Sequence, residues 1–135
     1  MAILVTGAGG FIGSHLVRRL LKLDHDVHIL ARPESMLERI ADVLPKLKRH
    51  DGDMTDEEGL KRCIDKAKPD GIFHLAASNI QTGKRAPDED VITTNILGMA
   101  RLLGAAKDLP YDFFIHAGSF LEYGMKRKPM AEGDV

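Results

Sequence analysis

A single cysteine, Cys63, stands in the 135 residues, so no internal disulfide is available. A disulfide framework and a cysteine-rich metal site are both excluded. The six histidines are scattered and show no metal-ligand spacing, so no metal is expected. An excess of one charge is also missing, since 19 basic and 20 acidic residues leave a formal net charge of -1. Such balance argues against binding nucleic acid by backbone electrostatics. The basic triad Lys126, Arg127, Lys128 is short and reads as a solvated loop. No apolar run approaches transmembrane length. The start, Met1-Ala2-Ile3-Leu4, passes at once into Thr6-Gly7, which is a turn and not a signal-peptide core. The expectation is a cytoplasmic protein with neither membrane nor nucleic-acid partner. Repeats, low-complexity tracts and linkers are absent as well.

Hydrophobic residues make up 44% and charged residues 29%, which suits one globular domain over residues 1–135. Strand-like and helix-like patterns alternate to about Ser119. Strands are expected over residues 2–6, 27–31, 47–50, 71–75 and 113–117. A helix over 11–23 carries Ile12, Leu16, Leu20 and Phe11, Val17, Leu21 at helical spacing. A second is expected over 34–44, with Pro33 leading into its first turn. A third runs from Thr55 to Ala67, where Thr55 and Glu58 form a capping box. The last covers 88–107, interrupted by Gly98 and Gly104. Strands separated by helices imply parallel crossovers of one hand, with helices on both faces of the sheet. The expectation is an α/β, three-layer, doubly wound parallel sheet, order 3-2-1-4-5. A ligand crevice then falls at the carboxyl ends of the first and fourth strands.

The strongest chemical signal is Thr6-Gly7-Ala8-Gly9-Gly10-Phe11-Ile12-Gly13, between the first strand and the first helix. Its placement carries more weight than its glycine count. Gly7 permits the tight turn, Gly10 lets a pyrophosphate approach the backbone, and Gly13 lets helix pack close to strand. Free N–H groups at the helix start then face the anion. Ile12 stands where a common dinucleotide fingerprint needs glycine, and a P-loop's Gly-Lys followed by Ser or Thr is absent. The alternative is a tight strand–helix turn that holds no ligand.

The GxxGxxG spacing of Gly7, Gly10 and Gly13, in the form TGxxGFIG, resembles the extended branch of the short-chain dehydrogenase/reductase superfamily, the sugar-nucleotide epimerases and dehydratases. The resemblance runs through essentially the whole chain and implies an NAD(P)-binding Rossmann domain. It places Phe11 and Ile12 with the glycines at the cofactor. It gives Asp53 the adenine amino group and Met54 the ring face; a turn or cap carboxylate is the other reading of Asp53. Leu75, Ala76 and Ala77 match the small residues against which the cofactor lies. His74 is given no role. Asn95 matches an asparagine near the nicotinamide end, the other reading being an exposed polar residue on a helix. Ser119 matches the hydroxyl four residues before Tyr-Gly (here Tyr123-Gly124) that hydrogen-bonds the reacting substrate oxygen, with a strand-end turn as the alternative. Pro129 and Glu132 continue the match.

In NAD-binding domains an acidic residue ending the second strand binds the ribose 2′-hydroxyl. Ala31 stands there and Arg32 follows, which favours a 2′-phosphate and hence NADP over NAD, the alternative being a solvated surface arginine in a protein that uses NAD. The family's Tyr-x-x-x-Lys pair is not matched: Tyr111 is followed four residues on by Ile115, and Tyr123 by Arg127. The resemblance puts that pair, and the sugar-binding lobe, after Val135. The chain thus looks like the front part of a longer enzyme, inactive by itself although still able to hold nucleotide. The implied activity is NAD(P)-dependent hydride transfer at a carbon of a nucleotide sugar by an epimerase, dehydratase or reductase. A non-catalytic NAD(P)-binding or sensing module is the alternative. Pairing of helices into a homodimer is also implied.

Overall fold

A computed structural model describes residues 1–78, 86–124 and 128–133. Lys126 and Arg127 of the basic triad, and Val135, lie outside the described residues. Five strands form one sheet in the order 3-2-1-4-5, every pairing parallel, as the alternating pattern predicts. The strands are β1 (Ala2–Thr6), β2 (Asp26–Ala31), β3 (Lys48–Asp51), β4 (Gly71–His74) and β5 (Phe113–His116). Helix α1 (Phe11–Lys22) follows β1, and α2 (Glu57–Ala67) follows β3. Between β4 and β5 lie α3 (Asp88–Ile92), a widened π-helical turn (Thr93–Leu97) and α4 (Gly98–Ala106).

Side chains alternate across a strand, so each central strand feeds two cores. Ile3 and Val5 join Val27 and Ile29 beneath α1, whose Val17 and Leu20 face them. Leu4, Leu30 and Ile72 meet α2 through Leu60, Cys63 and Ile64, and α4 through Leu102 and Ala106. The sheet is therefore covered on both faces, which gives three layers. Burial pushes the Cys63 thiol up to about 12, so it remains an inert packing group.

Three local expectations are corrected. Residues 34–44 form no α-helix but turns and two short 3₁₀ segments, Glu38–Ile40 and Leu44–Lys46. Met36 is exposed, and within this segment Ile40 alone is fully buried as an anchor. Side chains take carbonyls that a helix there would use: Arg18 donates to the oxygen of Arg39, and Arg49 to those of Arg32 and Pro33. A short segment gains too little from internal bonds to offset the cost of starting a helix. The capping box does not form either. Helix α2 begins at Glu57 behind Asp56, and the Thr55 N–H donates to Asp53 Oδ1 at 2.7 Å instead. Lastly, neither Gly98 nor Gly104 breaks the long helical segment. A Cβ at Gly98 would lie 2.9 Å from Met54 Cβ, so this glycine is a packing contact between the helix and the β3–α2 loop.

Candidate functional site: a crevice at the ends of β1, β2 and β4

The turn after β1 is shaped by what touches it. Gly7 has φ +73, and a Cβ on it would sit 2.6 Å from the Leu75 carbonyl carbon and 2.7 Å from the Ala76 nitrogen. Glycine is needed here twice over, for the left-handed conformation and for the approach of the chain leaving β4. A Cβ at Gly13 would meet the Gly7 oxygen and the Ala8 Cα, so α1 lies directly on the turn. Gly10 differs, because it is exposed and its Cβ position is open except for the Gly7 oxygen at 3.2 Å.

Hydrogen bonds leave the start of α1 unfilled. The Gly10 N–H donates to the Gly7 oxygen, and the Ser14 N–H makes the first intrahelical bond to Gly10. The amides of Phe11, Ile12 and Gly13 are thus the orphan donors of the first turn. Among the described residues no side chain caps them, and no acidic residue occupies that turn. Phe11 and Ile12 are exposed beside them, with Phe11 stacked edge-on against His15. A diphosphate fits this arrangement: an uncapped helix start, its dipole, and a glycine surface without side chains.

Thr6 ties the two strand ends together. It is fully buried, and its hydroxyl oxygen accepts the N–H groups of both Leu75 and Ala76 at 3.2 Å. The same hydroxyl lies 2.7 Å from His74 Nδ1. His74 Nε2 is buried without a partner among the described residues. The His74 ring stacks on His116 of β5, with centroids 5.2 Å apart. Burial first, and the His116 charge second, push its pKa down to about 4. Neither Thr6 nor His74 was singled out from sequence, although Thr6 stands inside the glycine motif.

Leu75, Ala76 and Ala77 lie at the β4 exit, the first two half-buried against the Gly7 turn and Ala77 exposed. Asn95, in the π-helical turn, clamps the same exit further along. Its Oδ1 accepts the Ser78 N–H at 2.7 Å and its Nδ2 donates to the Ser78 oxygen at 2.9 Å. That explains a mid-helix asparagine without exposing it, because both ends of the amide are satisfied.

At the other end, Arg32, Pro33, Glu34, Asp51, Gly52, Asp53 and Asp56 line a shallow pocket beside the β2 tip. Arg32 Nε lies 3.4 Å from Glu34 and 3.8 Å from Asp53. Asp53 combines two uses, since its other oxygen holds the Thr55 amide. Met54 is buried at 5% exposure in the core beneath α4, so its side chain packs inward. Ser119 is exposed after β5, outside the β1–β4 crevice proper. Its N–H donates to Glu122 Oε1 at 2.9 Å, and the Glu122 N–H returns to the Ser119 oxygen at 3.0 Å. This reciprocal turn holds Ser119 at the head of a 3₁₀ segment ending at Tyr123. Among the described residues no group of His, Cys, Asp and Glu is placed to hold a metal ion, and no helix is long and apolar enough to cross a membrane.

A parallel sheet of this order, with a glycine turn against the neighbouring strand end and a free helix start above it, defines a Rossmann-type nucleotide-binding domain. The chain belongs to the NAD dependent epimerase/dehydratase family, whose model matches residues 3–135. It is 31% identical to the UDP-glucose 4-epimerase of Lactobacillus helveticus over 133 residues, 98% of this chain and 40% of that protein. The structure of the UDP-Glc/GlcNAc 4-epimerase from Campylobacter jejuni superposes with a TM-score of 0.83 at 26% identity, covering 98% of this chain and 42% of that one. The Thermus thermophilus UDP-glucose 4-epimerase in complex with NAD gives 0.73 at 28% identity, covering 84% and 36%. The chain thus spans about two fifths of the length of the relatives it matches.

The depressed histidines predict an acid-side loss of stability. Burial holds both His74 and His50 below the ordinary imidazole value of 6.5. The unfolded chain therefore takes up protons first as pH falls, so stability is complete above about pH 6.5 and declines toward pH 4. Urea unfolding should show a loss of roughly 1–3 kcal/mol between about pH 7 and pH 5. His74→Asn should flatten that slope; an unchanged slope would remove His74 as its source.

Proposed function

We propose that this chain is the nucleotide-binding portion of an NAD(P)-dependent enzyme, an epimerase, dehydratase or reductase, that acts on a nucleotide sugar. The observation that carries the reading is the uncapped first turn of α1, where the amides of Phe11, Ile12 and Gly13 lack acceptors among the described residues, beside the open Gly10. These amides would bind the dinucleotide's diphosphate. Leu75, Ala76 and Ala77 would present backbone to the nucleotide, and Asn95 would keep that backbone in place through Ser78. Asp53 would receive the adenine amino group, with Met54 supporting the site from within the core. The nicotinamide, when bound, supplies hydride transfer. Ser119 would hold the reacting oxygen of the sugar and stabilise charge on it. Relatives named for UDP-glucose epimerisation support the substrate class.

At the adenosine ribose the proposal favours NADP over NAD, because Ala31 offers no carboxylate and Arg32 offers a guanidinium. Four carboxylates, Glu34, Asp51, Asp53 and Asp56, share that pocket with it, so the preference is expected to be modest. Titration with NADPH and NADH, followed by nicotinamide fluorescence, tests both claims. Folded protein that binds neither would sink the reading. Arg32→Ala should weaken NADPH by about tenfold and NADH far less; equal losses would reject the 2′-phosphate assignment.

A non-catalytic binding module of the same fold is the second reading, in keeping with a Ser119 that lies exposed after β5 and outside the β1–β4 crevice. The two separate at Ser119. In protein that turns over, Ser119→Ala should lower kcat by roughly a hundredfold while leaving NAD(P)H affinity unchanged. Unaltered kcat would strip Ser119 of its role.

The proposal places self-association on the outer face of α3 through α4. Ile92, Ile96, Leu97 and Leu103 are exposed there, next to Ala100 and Gly104. Antiparallel pairing with a second copy would set isoleucines against the small residues and bring the acidic turn Asp88–Asp90 toward Lys107. Ile96→Glu should convert dimer to monomer in sedimentation experiments; a wild-type chain that sediments as monomer at all concentrations would refute the pairing.

A further inference from the structure

Thr6, His74, Leu75 and Ala76 meet at one hydroxyl, and the count of protons there is decisive. Thr6 Oγ1 accepts two backbone N–H groups, from Leu75 and Ala76, each at 3.2 Å. A hydroxyl oxygen has two lone pairs and one proton. Both lone pairs are engaged, so the proton remains to be placed. The group within reach is His74 Nδ1, at 2.7 Å, the distance of an O–H···N bond. Had His74 carried its proton on Nδ1, the oxygen would face three donors while its own proton had no acceptor. The hydroxyl therefore donates, Nδ1 accepts, and the imidazole proton sits on Nε2. That nitrogen is the one buried without a partner among the described residues. The histidine thus keeps an unsatisfied donor in order to offer Thr6 an acceptor. Its depressed affinity for a second proton fits the same neutral form.

We propose that His74 is a positioning residue: by accepting the Thr6 hydroxyl proton it aims that oxygen at the Leu75 and Ala76 amides, and so sets the β4 wall of the crevice. The wall lies against Gly7, where no side chain fits. A rotated Thr6 hydroxyl would free the Ala76 amide, leave Leu75 only its 3.2 Å bond to the Thr6 carbonyl oxygen, and let the β4 exit move relative to the glycine turn. For its effect on ligand this rests on the dinucleotide reading; the hydrogen-bond arrangement itself does not.

The test has one arm without ligand and one with it. In chain carrying 15N-labelled histidine, the His74 ring should show an unprotonated Nδ1 and a protonated Nε2 at neutral pH. The opposite tautomer would overturn the proposal whether or not nucleotide binds. Amide exchange should quicken at Ala76, and less at Leu75, which keeps the Thr6 carbonyl oxygen, in His74→Leu and stay near wild type in His74→Asn, whose side-chain oxygen can replace Nδ1 as acceptor. With NADH or NADPH, His74→Leu and Thr6→Val should each weaken binding by about tenfold, and the double variant no further. His74→Asn should remain within about twofold, on the same hydrogen-bond argument. Wild-type binding with undiminished affinity in His74→Leu would sink this inference alone. Absence of wild-type binding would sink the functional reading, while tautomer and exchange still judge the role of His74.

Discussion

The contact on which the rest of the molecule depends is backbone against backbone. The Gly7 turn presses on the Leu75–Ala76 stretch so closely that no Cβ has room between them. Two consequences follow from that approach. The C-terminal ends of β1 and β4 are held at one fixed separation, and helix α1 begins at the surface of the crevice instead of beyond it. Thr6 secures the contact from below with a hydroxyl that serves two amides. Asn95 secures it from the side by closing on Ser78. Polar groups inside a low-dielectric core bind strongly only when each is satisfied. This cluster meets that condition except at His74 Nε2.

Around that contact the molecule divides its electrostatics. The start of α1 offers unfilled amides and no acidic residue. The pocket at the β2 tip collects four carboxylates around Arg32. One end is suited to an anion through backbone dipoles; the other holds a guanidinium among acids. Exposed ion pairs of this kind contribute little to stability, so their arrangement bears on ligand selection more than on folding.

Much of the fold was legible in the sequence because its signals are local and periodic. Apolar runs at β1, β2 and β4, helical spacing in α1 and the glycine spacing after Thr6 each depend on neighbours a few residues away. The errors fell where distant groups decided. Residues 34–44 have a helix-like pattern, yet Arg18 reaches over from α1 to take the Arg39 carbonyl, and Arg49 of β3 takes those of Arg32 and Pro33 just ahead of the segment. Thr55 is the exception, since its capping sequence loses to a local competitor, the Asp53 carboxylate two residues before it. Gly98 reads as a helix breaker, yet it is where the helix touches Met54. In the site, the roles of Gly7 and Gly13 in shaping the turn were readable, whereas Thr6 and His74 were not. Their partners lie 68 to 70 residues away in sequence.

By itself, then, the chain of amino acids determined the class of sheet, the strand order and the place of the glycine turn, since alternation of apolar runs with helical repeats admits few parallel topologies. Tertiary structure alone decided which hydroxyl meets which amide, which nitrogen of His74 bears a proton, and how Asn95 uses its side chain. Those outcomes depend on the register of β1 against β4 and on the lie of the helices, distances that no spacing along one strand or helix encodes.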